Sequence, residues 1–77
     1  KRMKVRTQDG RKYLEFGEIH VSDYGDNGRS ALYVTNCFHM EPVCIGVYED
    51  ISRAKGVLYE IDLAYQRRQR IFYAPAE

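Results

Sequence analysis

With 77 residues the chain has room for one hydrophobic core, and a domain of this size buries only roughly 60% of the surface its unfolded chain exposes. Hydrophobic residues at 44% and charged residues at 30% argue against intrinsic disorder, and no apolar run reaches membrane-spanning length. The net charge is only +1, but residues 1–12 hold six Lys/Arg against Asp9, residues 13–66 hold three against nine acids, and Arg67, Arg68 and Arg70 follow against Glu77.

The basic start, Lys1 to Arg6, runs into Thr7-Gln8-Asp9-Gly10 rather than an apolar stretch, which is not a signal-peptide pattern, and a cytoplasmic location is expected. Asp9-Gly10 lies between the extended segments Lys4–Thr7 and Lys12–Phe16 and predicts a first hairpin. After Gly17, Glu18–Ser22 alternates, with Ile19 and Val21 on one face and His20 and Ser22 on the other. Tyr24-Gly25-Asp26-Asn27-Gly28-Arg29 predicts a second hairpin turn, because Gly, Asp and Asn accept positive φ or bond their own backbone.

Ser30–Thr35 follows as a strand with Leu32 and Val34 on one face and Ala31, Tyr33 and Thr35 on the other, so that neither face is plainly solvent-like. Phe38–Pro42 is expected as a loop, since Pro42 removes a ladder donor. Val43–Tyr48 resumes a strand, expected to be central, with Val43, Ile45 and Val47 inward. Asp50 can cap a helix whose apolar positions are Ile51, Ala54, Val57, Leu58, Ile61, Ala64 and Tyr65. Carried to Gln69 it would span about 28 Å, with Arg67, Arg68 and Arg70 at its negative C-terminal end. Ile71–Tyr73 reads as a short strand or an extended tail before Pro75. The fold class is therefore a single α+β domain over residues 1–77: an antiparallel sheet of three to five strands packed on one side by one C-terminal amphipathic helix.

The reactive side chains assemble no familiar framework. Cys37, His39, Cys44 and His20 supply zinc-ligand atom types at a spacing unlike the common Cys/His sites, and a Cys37–Cys44 disulfide does not fit a reducing compartment. No metal or cofactor is expected. Nucleophilic catalysis would need Cys37 or Cys44 aligned with His20 or His39 and a third orienting group, so the protein is read as a non-enzyme. Gly25–Gly28 is not followed by a helix N-terminus and reads as a turn rather than a phosphate cradle.

The remaining signal is aromatic: seven Tyr and three Phe, of which Tyr13, Tyr33 and Tyr48 are expected on the sheet face away from the helix. Such a face is either an ordinary half-exposed surface or an interface, where tyrosine is enriched for its large amphipathic ring. If the first strand and the helix end meet, Arg67, Arg68 and Arg70 join the basic N-terminus in one patch suited to phosphate; the alternative is a solvated rim.

Met3–Gly10 at the front, with Ile45–Tyr48, Ser52–Lys55, Val57–Ile61 and Phe72–Pro75 at the back, resembles short uncharacterised proteins of phages and mobile elements of Gram-positive bacteria. The resemblance implies a non-enzymatic accessory protein in the host cytoplasm that inhibits a defence component by binding a host protein or sequestering a signalling nucleotide. It carries over no site residues. Gly56, where a stronger helix former fits the pattern, is read as marking a close contact. The alternative function is a nucleic-acid-binding module using the basic ends and the tyrosines, and a homodimer is expected to cover the second sheet face.

Overall fold

In the computed structural model of the chain, which describes residues 3–36 and 39–77 and no side chains from 36 to 40, six strands form two three-stranded sheets around one helix. The α+β class and the C-terminal helix are as expected. Six strands exceed the expected three to five, because both chain ends contribute a sheet of their own.

The first sheet has the order β2 (Tyr13–Glu15), β1 (Lys4–Arg6), β6 (Ile71–Tyr73). The Asp9-Gly10 turn closes the antiparallel β1–β2 hairpin. Gly10 adopts φ +73°, and the Asp9 carboxylate accepts from the Thr7 hydroxyl at 2.7 Å and the Arg11 amide at 3.0 Å. Those bonds, the Thr7 hydroxyl first, hold the Asp9 carboxyl below its ordinary pKa. Strand β6 pairs parallel to β1, so Ile71–Tyr73 is a strand and not a tail.

The second sheet is an antiparallel meander of β3 (Glu18–Tyr24), β4 (Arg29–Asn36) and β5 (His39–Tyr48). The central strand is β4, not β5. His39–Pro42, expected in a loop, belongs to β5; Phe38 lies outside the described residues. Pro42 is tolerated because β5 is an edge strand of its sheet, where a missing donor need not break a ladder.

A bulge in β5 overturns the expected alternation there. Leu32 pairs with Gly46 but Tyr33 pairs with Cys44, so Ile45 is an extra residue. One inserted residue moves every following side chain to the opposite face. Val47, expected inward, therefore pairs with Ala31 on the outer side, and Tyr48, expected outward, pairs with Ser30 and is fully buried. The bulge also frees the Ile45 carbonyl to accept the Gln8 backbone N–H at 2.7 Å. The Gln8 side chain then imitates a strand residue: its Oε1 accepts from the Val47 amide at 2.9 Å, while its Nε2 donates to the Val47 carbonyl at 2.9 Å and to the Pro75 carbonyl at 3.2 Å. One glutamine thus ties the two sheets and the C-terminal segment together.

The helix α1 (Ile51–Gln66) opens on Asp50, whose carboxylate accepts from the Arg53 amide at 2.8 Å. Ala54, Val57, Ile61 and Ala64 are buried in a core shared with Val5, Leu14, Leu32, Val34, Ile45 and Phe72. Leu58 is half-buried beside it, whereas Ile51 and Tyr65 are half exposed. The helix stops three residues before Gln69, in a Schellman motif. The Arg68 amide donates to the Tyr65 carbonyl and the Gln69 amide to the Ala64 carbonyl, both at 3.0 Å, with Arg68 at φ +61°. Arg67, Arg68 and Arg70 therefore lie past the last helical turn rather than along it.

The expected close contact at Gly56 is absent: a Cβ there meets no described atom within 4 Å. The tight glycine is Gly46, where a Cβ would lie 2.8 Å from the Tyr48 hydroxyl and 2.9 Å from Gln8 Cβ.

Candidate functional site

Strand alternation gives the β2–β1–β6 sheet two different faces. Leu14, Val5 and Phe72, directly opposite one another across three strands, turn into the core and are at most 8% exposed. The next row, Tyr13–Arg6–Tyr73, points outward, with the two rings 52% and 55% exposed. The Arg6 guanidinium carbon lies 5.7 Å from the Tyr13 ring centre and 5.8 Å from that of Tyr73, within cation–π range of both. Arg6 Nη2 donates to the Gly10 carbonyl at 3.4 Å, and its buried Nε has no hydrogen-bond partner among the described residues.

On the same face, one row further along, stand Glu15, Lys4 and Ile71. Lys4 and Glu15 form an ion pair at 3.8 Å, weak because both side chains are well hydrated. This row opens into a groove of about 1190 Å³ bounded by Lys4, Tyr65, Arg68, Arg70 and Ile71. The Lys4 amide bonds the Arg70 carbonyl at 2.9 Å, so the basic N-terminal strand and the segment after the helix do meet. Of the three expected arginines, Arg68 and Arg70 line the groove and Arg67 is the exposed helix cap beside it. Arg68 occupies a left-handed position where glycine is the usual choice, a conformation that costs a non-glycine residue roughly 1–2 kcal/mol. The tyrosine Tyr65 is stacked on Phe16, ring centres 4.4 Å apart, and forms an aromatic wall.

The expected tyrosine face is not one surface. Tyr13 belongs to this sheet; Tyr33 is half-buried on β4 of the other; Tyr48 is in the core. Burial pushes the Tyr48 pKa up to about 12, against the opposing pull of Arg53, and its hydroxyl has no partner among the described residues. Lys4 and Arg6 belong to the basic N-terminal strand expected in the patch, but the pairing of Arg6 with Tyr13 and Tyr73 was not foreseen. The Tyr13 pairing was within reach of the sequence, since equal steps from the Asp9-Gly10 turn bring Arg6 opposite Tyr13. The Tyr73 pairing was not, because the parallel pairing of β6 with β1 joins opposite ends of the chain.

Tyr33 stands between His20 on β3 and Cys44 on β5 in the register, leaving these two residues roughly 10 Å apart by strand spacing. Burial raises the Cys44 thiol pKa. Cys37 lies outside the described residues, and among the described ones no three His, Cys, Asp or Glu converge as metal ligands. No described helix is long and apolar enough to cross a membrane. The chain matches no protein-family model, no curated protein and no solved structure at a significant level.

Proposed function

We propose that this protein is a non-enzymatic binding module that takes single-stranded nucleic acid across the open face of the β2–β1–β6 sheet. The observation that carries the reading is the Tyr13–Arg6–Tyr73 row, two exposed rings flanking a guanidinium, continuous with the Lys4, Arg68 and Arg70 groove. Every base has a π face, so tyrosine rings hold unpaired bases at roughly 1–3 kcal/mol each without regard to sequence. Lys4, Arg68 and Arg70 supply the cations for the phosphates, at a salt-dependent cost in affinity. An open face fits a strand better than it fits an enclosed mononucleotide. Sequestration of a signalling nucleotide, the role implied by the resemblance to phage proteins, would use the same rings and guanidinium groups.

Fluorescence anisotropy with a labelled oligothymidine across a salt series tests the proposal. Binding is expected to weaken steeply with salt, and Arg70→Ala to reduce the log–log slope by about 0.7. Tyr13→Ala and Tyr73→Ala are each expected to cost roughly 1–3 kcal/mol of binding, and Tyr33→Ala nothing. Mononucleotides that displace the oligonucleotide at equal base concentration would favour the nucleotide reading. No saturable binding at low salt, or binding indifferent to both tyrosines, overturns the assignment.

A further inference from the structure

The two edges of the β3–β4–β5 sheet are managed differently. The β5 edge is interrupted by two register shifts, carries Pro42, and is met by the backbone and side chain of Gln8. Each of these devices discourages pairing with a foreign strand. The β3 edge has none of them: Glu18–Tyr24 contains no proline, glycine, lysine or bulge, and its register with β4 is unbroken over seven pairs. Among the described residues β3 pairs only with β4.

We infer that β3 is a self-association edge, at which a second copy of this chain adds its own β3 antiparallel across a two-fold axis at Val21. The strand is compatible with its own reverse. Val21 would face Val21 of the second copy, His20 would face Ser22, Ile19 would face Asp23, and Glu18 would face Tyr24, so no like charges lie opposite each other. Tyr24 already has the Arg29 guanidinium 5.7 Å from its ring centre, which brings a cation to the end of the strand where Glu18 of the second copy arrives. On the helix side, Ile19 and Val21 are only half-buried against the core, and a cavity of about 140 Å³ lies between Ile19, Phe16 and Leu58. A neighbouring strand would cover these apolar groups as well as satisfy the edge backbone. The two sheets would join into one of six strands, with the β2–β1–β6 faces of the two copies left free.

Sedimentation velocity from micromolar to millimolar protein tests the inference. A monomer–dimer equilibrium is expected, with hydrogen exchange of β3 amides slowing as concentration rises while β5 amides are unaffected. Val21→Lys should raise the dimer dissociation constant about tenfold or more. Because Val21 also touches the core, Ser22→Lys, at an exposed position, repeats the test without disturbing packing. A monomer at every concentration overturns the inference. So does a dimer that folded Val21→Lys and Ser22→Lys leave intact, or one whose protected amides lie outside β3.

Discussion

The two sheets differ in how they use their second face. In β3–β4–β5 the strands run seven to ten residues, and the inner side of the central strand, with Ser30, Leu32 and Val34 buried, packs under the helix. In β2–β1–β6 each strand has three residues, a single row reaches the core, and the other two rows face outward, with Lys4, Tyr13 and Tyr73 exposed and Arg6, Glu15 and Ile71 half-buried. The short sheet makes up for its length by tying together the two ends of the chain and by the Gln8 clamp on β5. Most of the buried core comes from the long sheet and the helix, and the proposed recognition chemistry lies on the other sheet, which can carry exposed tyrosines because only one of its rows is needed for the core.

Ile61→Ala is the strongest way to break that division. Ile61 is 1% exposed in the core that both sheets share, and its truncation is expected to cost about 2–5 kcal/mol in denaturant unfolding. If the sheets form one cooperative unit, their amide protection falls together. Loss confined to β3–β4–β5 would show that the short sheet is stable independently. Half-buried Leu58 should cost less when truncated.

Tyr48 supplies the next test. An unfolded tyrosine ionises near 10, whereas buried Tyr48 keeps its proton to about 12. Between these values the unfolded state binds fewer protons, so stability falls as pH rises, by roughly 2–3 kcal/mol across the window. Tyr48→Phe should remove this alkaline loss and, by deleting an unpartnered buried hydroxyl, leave neutral-pH stability unchanged or higher. Chemical denaturation at pH 7 and pH 11 measures both effects.

The clamp between the sheets can be strained from either side. Gly46→Ala drives a methyl into the Tyr48 hydroxyl and Gln8 Cβ, at an expected cost of about 1–3 kcal/mol. Gln8→Ala leaves the Val47 N–H without its acceptor, with a similar expected loss of about 1–3 kcal/mol. Wild-type unfolding midpoints for both variants would show that the sheets are held together by the core alone.

The smallest expected effect is also the sharpest separation of stability from recognition. Arg68→Gly relieves a left-handed backbone position and should stabilise the fold by roughly 0.5–1 kcal/mol, while weakening oligonucleotide binding and lowering its salt slope. A variant that is more stable and binds as tightly as wild type would remove Arg68 from the binding face.

Local pattern determined most of the elements. The turn chemistry at Asp9-Gly10 and Gly25–Gly28, the alternation of Glu18–Ser22 and Ser30–Thr35, and the helix from Asp50 onward are written in residues a few positions apart, and the structure has each of them. A charge count marks both chain ends as basic but leaves open whether they meet. Three features were decided only in three dimensions. The Ile45 bulge, which sends Tyr48 inward and Val47 outward, depends on how β5 lies against β4, and uninterrupted alternation contains no sign of an added residue. The role of glycine was reversed, with Gly46 crowded and Gly56 open, because close approach is a property of neighbours distant in sequence. The Tyr13–Arg6–Tyr73 row exists because β6 pairs in parallel with β1 across the whole length of the chain. Short-range periodicity specifies which way a side chain faces along its own strand; which strand lies beside it is set by the packing of the shared core.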